Sequence, residues 1–224
     1  MKKGAIIYII KLFIQRALGI LLFLSGSEGY LGTCAAVYFG FYLTTTAISS
    51  AVMYHVNPET LSERSKTNTD SPVWDKILLA GFWLLAYFLI YYIAGTETIK
   101  HKELGIIFWA GIFLQVCSSI LTVKAMIVNT YLESTARIQK DRGQTVCKEG
   151  PYQIVRHPAY SAILIWCAAA AMVFQAPMTA AAAFTTAVLI VIRTYLEDQM
   201  LRRGLEGYEI YTQEVKYRLI PFIW

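Results

Sequence analysis

Long apolar runs separated by short polar ones dominate the chain. Residues 33–54, 77–95 and 104–123 contain no charged side chain, and each matches the roughly 20 apolar residues that a helix needs to cross a bilayer. Residues 159–192 form a longer uncharged run, too long for one crossing and interrupted by Pro177. Proline removes a backbone donor and breaks a helix interior, so Gln175-Ala176-Pro177 predicts the tip of a tight helical hairpin. Each arm is then about 17–19 residues, roughly 26–28 Å at the α-helical rise. Residues 5–24 are less uniform, because Lys11, Gln15 and Arg16 interrupt them. Lys11 and Gln15 stand one helical turn apart and share a face. This predicts a spanning helix with one polar stripe turned to protein, a helix lying at the interface being the alternative.

The pattern therefore predicts an all-α fold, a polytopic membrane bundle of about six transmembrane helices in a single domain. Its parts are N-terminal helices within 5–54, a polar loop over 55–76, helices within 77–128, a second polar loop over 129–157, and a hairpin with its tail over 158–224. Five spans plus an interfacial first helix is the runner-up. Composition agrees: of 224 residues, 56 % are hydrophobic and 16 % charged, with mean hydropathy +0.47, against about 25 % charged in ordinary globular domains. Disorder and coiled coil are excluded. The net charge of +5 does not indicate nucleic acid, because the basic residues fall between uncharged stretches and form no continuous face. Cys34, Cys117, Cys147 and Cys167 form no CxxC pair and have no histidine at ligand spacing, so neither a disulfide nor a metal site is expected.

Loop charge orients the bundle. Fifteen lysines and arginines of the loops and tails, from Lys2 and Lys3 to Lys216 and Arg218, collect on one side, and only Lys100 and Lys102 on the other. Both termini are thus expected in the cytoplasm. So is the chemistry, since segments 55–76, 129–158 and 193–224 carry nearly every ionisable residue.

The richest of these segments reads Gly150-Pro151-Tyr152-Gln153-Ile154-Val155-Arg156-His157-Pro158-Ala159-Tyr160. A residue before proline avoids the α region, which puts His157 just outside a helix that Pro158 begins. The free N–H groups and positive dipole end of that helix suit an anion, and Arg156, His157 and the Tyr160 hydroxyl surround the same point. An interfacial lipid anchor is the competing reading. Folding the hairpin back brings Arg193 and Glu197, which share a helix face, level with His157 and Tyr160. A charged pair at a membrane boundary is costly unless it binds something; a salt bridge closing the hairpin base is the alternative. Earlier in the chain, Asn57-Pro58 marks a turn and Asp75 is placed to cap the helix that follows. Between them Arg64 is either within reach of a ligand or a solvated loop charge.

GPYQIVRHPAY, followed by RTYLEDQML and YEIYTQEVKYRLIP, resembles the isoprenylcysteine carboxyl methyltransferase family of integral-membrane, S-adenosylmethionine-dependent enzymes. NPETLSER with the later WDK is similar to a stretch that bacterial-type members carry between early helices. The resemblance covers residues 55–76 and 140–222. RHPxY alone is shared with membrane sterol reductases; the downstream RxxxE and YxxY…RxIP make the combination specific. The resemblance implies that His157 and Tyr160 line a cofactor pocket, and that Arg193 and Glu197 flank the methyl-transfer centre. Arg156 and Pro158 complete the candidate cofactor site, which Glu197 also borders. Many members have Glu-Glu where this chain has Glu197-Asp198, and glycine where it has Ala162.

The implied reaction moves a methyl group from S-adenosylmethionine to a lipophilic acceptor entering from the bilayer. The expected acceptor is the carboxylate of an isoprenylcysteine-like substrate, with Arg64 and Arg193 the candidates to hold it. A small thiol or a phospholipid amine is an alternative acceptor. An NADPH-dependent sterol-type reductase is the alternative enzyme, although no glycine-rich dinucleotide fingerprint is present. A transporter would place polar residues at mid-membrane. The orientation is testable: a reporter fused after Trp224 should be active only on the cytoplasmic side, and activity only on the outer side would overturn the charge reading.

Overall fold

A computed structural model describes residues 2–66, 70–97 and 104–224. Lys100 and Lys102, the two basic residues expected opposite the loops, lie outside the described residues. The described residues form helices and loops without a strand. The long elements are α1 (Lys2–Gly26), α2 (Thr33–Val56), α4 (Val73–Glu97), α5 (Ile106–Val128) and α7 (Pro177–Gly204), each long and apolar enough to cross a membrane. The shorter elements are α3 (Pro58–Ser65), α6 (Pro158–Phe174) and α8 (Tyr208–Glu214). This is a multi-pass membrane bundle.

The first helix packs as a member of that bundle. Ile7, Ile10, Ile14, Leu18 and Leu21 recur at three- and four-residue spacing and are exposed on its outer face, as a lipid-facing stripe requires. Tyr8, Leu12 and Arg16, on another face, line an internal cavity. Lys11 is exposed and meets the carbonyl of Ser65 at 2.9 Å, while Gln15, one turn on, is half-buried. Contact with α4 is close enough to need glycine: a Cβ on Gly95 would lie 2.2 Å from the Phe23 carbonyl, and one on Gly26 2.3 Å from that of Tyr92. Small residues in place of larger ones are the usual way membrane helices approach this closely.

The hairpin forms as its proline predicts. Gln175 closes α6 in the left-handed conformation, its N–H bonding to the Ala171 carbonyl, and Pro177 opens α7 in the first turn. At that turn Glu97 accepts hydrogen bonds from the backbone N–H groups of Met178 and Thr179, at 2.9 and 2.8 Å. A carboxylate there also complements the helix dipole. The 17-residue α6 is the shortest arm, roughly 26 Å long. Ala169, Ala170, Ala182 and Ala183 are buried along the two arms, and Gly111 of α5 comes against Ala169 and Val173 of α6.

Two local expectations change. Residues 55–76 hold the short helix α3, which Asn57 caps by accepting from the Thr60 N–H at 3.2 Å, with Pro58 in its first turn. Asp75 does not cap α4. Pro72 occupies that position, and the Asp75 side chain is fully buried and engaged elsewhere. Since Gly95 meets backbone rather than a movable side chain, Gly95→Ala should lower stability in detergent by about 1–3 kcal/mol, seen as a reduced Tm. Gly40, where a Cβ meets nothing within 4 Å, provides the control, and Gly40→Ala should leave Tm nearly unchanged. Equal effects of the two would contradict the crossing.

Candidate active site

His157 ends an extended segment that the C-terminal tail straps in place. The N–H groups of Arg156 and His157 bond to the carbonyls of Tyr217 and Arg218, at 2.9 and 3.0 Å, and the Ser161 hydroxyl to that of Leu219 at 2.6 Å. Beneath the strap lies Asp198, fully buried. Arg156 grips it with two nitrogens, at 2.8 and 3.0 Å, and donates from the third to the carbonyls of Val215 and Lys216. Arg218 Nε reaches the same carboxylate at 2.9 Å, the Tyr208 hydroxyl at 3.1 Å, and His157 Nε2 lies 3.3 Å away. Burial opposes the charge of Arg156, but the Asp198 carboxylate more than offsets it and raises the guanidinium pKa. Burial, then the same carboxylate, pushes the Tyr208 phenol up, so it stays protonated and donates.

Earlier on α7 the contacts differ. Glu197 accepts a short hydrogen bond from the Tyr160 hydroxyl and, among the described residues, forms no ion pair. Arg193 lies with its guanidinium 5.4 Å from the Tyr160 ring centroid. Its Nε bonds to Asp75 Oδ1 and its Nη2 to the Ser134 carbonyl, both at 2.8 Å, while the other Asp75 oxygen accepts from the Ala136 N–H at 2.9 Å. The hairpin thus brings His157, Tyr160, Arg193 and Glu197 to one level. His157 stacks on Tyr160, with ring centroids 5.8 Å apart and planes 9° from parallel.

Two cavities open on either side of this group. The smaller, about 80 Å³, lies among the polar loops and is bordered by His157, Tyr160, Glu197 and Tyr208 with Asn129, Tyr131 and Gln139. Glu133 also borders it, bonded to Arg137 at 2.9 and 3.0 Å. The larger, about 230 Å³, runs between α1, α2, α4, α5 and α6, with Arg64 and Arg193 toward the loop end and Arg16 further in. Tyr160 borders both. Arg64 is not a solvated loop charge: it donates to the Tyr8 hydroxyl at 2.9 Å and to the carbonyls of Leu132 and Glu133, at 3.1 and 3.2 Å. Cys147, beside the polar cavity, is half-buried, which pushes its thiol pKa up.

Residues 110–203 match the family model described as the isoprenylcysteine carboxyl methyltransferase (ICMT) family. This region is similar to the ICMT family. A comparison with curated proteins gave no match. The ICMT match runs from α5 through α7, and so contains Arg156, His157, Pro158, Tyr160, Arg193, Glu197 and Asp198; Arg64, Asp75, Tyr208 and Arg218 lie outside it. Methyl transfer in a membrane is the activity class it supports.

The candidate residues divide by their partners. Every guanidinium nitrogen of Arg156 is occupied, so it builds the wall of the polar cavity, whereas the sequence pointed to direct anion binding. Arg193 already has a carboxylate partner in Asp75. Sequence reasoning missed the two aspartates and Tyr208. Asp198 appeared there only as a shortened neighbour of Glu197, and Asp75 as a cap. The remaining signal was the YxxY spacing, which places Tyr208 and Tyr211 on one face of α8. Removing one partner from a buried ionic cluster leaves uncompensated charge, at a cost of about 3–5 kcal/mol. Asp198→Asn should therefore lower Tm markedly, while Glu197→Gln, which breaks no ion pair, should shift it little. The reverse order in a thermal melt would contradict the division.

Proposed function

We propose that the chain is an S-adenosylmethionine-dependent methyltransferase acting on a lipophilic acceptor, with both reactants meeting at Tyr160 on the cytoplasmic face. The observation that carries this reading is the shared wall. A polar cavity opens among the loops and an aromatic-lined one lies between membrane helices, and the Tyr160 side chain borders each. Two reactants of opposite solubility then need no common entrance.

The polar cavity fits the donor's chemistry. Glu197 faces it with no ion-pair partner among the described residues, while Glu133 is held by Arg137 and Asp198 is surrounded by arginines. A carboxylate left in that state suits a cationic ligand, and S-adenosylmethionine carries both an ammonium and a sulfonium. When bound, it supplies an electrophilic methyl group. The chain's own residues position and shield: His157 and Tyr160 offer stacked rings, and the Asp198 clamp fixes them. Tyr160 donates to Glu197 and holds that carboxylate at the cavity wall. A carboxylate acceptor arrives already ionised, so no strong base is required. Alignment of well-oriented partners is worth up to about 7–11 kcal/mol, and alignment is what a fixed wall between two cavities provides.

On this reading an acceptor carboxylate, as in an isoprenylcysteine-like substrate, approaches from the larger cavity beneath Arg193 and Arg64. S-adenosylhomocysteine should bind the detergent-purified chain. Glu197→Gln should weaken that binding about tenfold, the value of a hydrogen bond to a charged group, with Tm intact. Arg193→Lys should spare it while lowering turnover, because lysine cannot keep the bonds to both Asp75 and the Ser134 carbonyl. Unchanged affinity in Glu197→Gln would return Glu197 to a purely structural role. Binding of NADPH in place of S-adenosylhomocysteine would favour the reductase.

A further inference from the structure

The larger cavity has an inner end that an all-hydrocarbon ligand would not use. Arg16 lies there, halfway along α1, stacked 4.3 Å from the ring centroid of Tyr42 and 5.4 Å from that of Tyr87. It donates one hydrogen bond to the Tyr42 hydroxyl; its Nε is buried without a partner, and it forms no ion pair among the described residues. Gln115 of α5 borders the same cavity, is 4 % exposed, and has a buried carbonyl oxygen that no donor reaches. Nearby hydroxyls are already committed as donors: Thr46 to the Tyr42 carbonyl, Ser118 to that of Ala162 and Ser119 to that of Gln115. Arg16 is the cation at this end of the cavity among the described residues.

A cation inside a membrane helix is expensive, and such residues usually pair with an opposite charge or mark a ligand path. The aromatic faces of Tyr42 and Tyr87 offset part of that cost. They do not neutralise it, and no carboxylate of the described residues does. The acidic group that borders the cavity, Glu133, is paired with Arg137 and stands at the loop end.

We infer that the methyl acceptor carries, distal to its reacting atom, an anionic oxygen group that Arg16 holds at the inner end of this cavity. Gln115 would take a hydrogen-bond donor of the same molecule. The inference rests on the methyltransferase reading and changes the acceptor within it: a compact, oxygen-bearing acid with two polar ends replaces the isoprenylcysteine-like carboxylate, whose far end is plain hydrocarbon. Tyr8, Phe82, Trp83 and Trp166 along the walls suit a flat, ring-containing body between those ends.

The test uses 2-naphthoate and its neutral analogue 2-naphthamide as probes of the detergent-purified full chain, read by quenching of tryptophan fluorescence. Wild type should bind naphthoate at least about tenfold tighter than the amide, a charge-assisted hydrogen bond being the difference. Arg16→Met should remove that preference and Arg16→Lys should keep most of it. Arg64→Met should also keep it, because Arg64 stands at the other end. Equal binding of the two probes to wild type would overturn the inference, as would a preference that survives Arg16→Met or disappears in Arg64→Met. Should Arg16→Met fail to fold, protection of a Gln115→Cys thiol from maleimide by naphthoate and not by naphthamide decides the same question, absence of that selective protection counting against it. S-adenosylhomocysteine affinity, measured on the same preparations, separates the two claims. Its absence removes the methyltransferase reading whatever naphthoate does, and its presence without anion preference removes this inference alone.

Discussion

Asp198 joins three parts of the chain that are far apart in sequence. Through Arg156 and His157 it holds the start of α6, through its own helix the end of α7, and through Tyr208 and Arg218 the tail. The carboxylate is fully buried, so each bond it makes replaces water that it has lost. A buried ionic cluster is weak evidence for net stability. What it does provide is uniqueness of arrangement, since few other packings would bring the same carboxylate to three guanidiniums, a phenol and an imidazole. His157 and Tyr160 owe their places to that constraint.

A second buried pair, Arg193 with Asp75, performs the same task one turn away, tying α7 to α4 and to the loop backbone at Ser134 and Ala136. Between the two clusters Glu197 forms no ion pair among the described residues, and Tyr160, bonded to it, stands in a wall with one cavity on each side. The geometry suits a reaction whose partners differ in solubility. It also explains why so much charge is gathered at one end of an otherwise apolar bundle, where loop backbone and water can share its solvation.

Much of this was legible in the sequence. Length and absence of charge located the long helices, because the bilayer imposes one dimension on them all. Pro177 located the hairpin tip, and counting outward from it put Arg193 and Glu197 beside Tyr160. Partners separated by long stretches of chain were not legible. Nothing local in Trp74-Asp75-Lys76 shows that Asp75 meets Arg193 instead of capping a helix, and nothing near Arg16 shows that its face turns toward Tyr42 and Tyr87. Hydrophobic pattern specifies which face is apolar; it does not specify which neighbour a rare polar residue meets. The match to the ICMT family over residues 110–203 is consistent with this, since the residues outside it, Arg16, Arg64 and Asp75, are those whose partners only the assembled bundle reveals.

The central claim is that Tyr160, with Leu132, Glu133 and Ala159 in the same wall, separates a donor pocket from an acceptor pocket. The most direct measurement is an experimental structure of the chain bound to S-adenosylhomocysteine. The account predicts the adenosyl group in the polar cavity bordered by Tyr131, Gln139 and Tyr208, with the sulfur atom near the Tyr160 hydroxyl and directed toward the larger cavity. A ligand seated instead among α1, α2 and α5, on the Arg16 side of Tyr160, would contradict it.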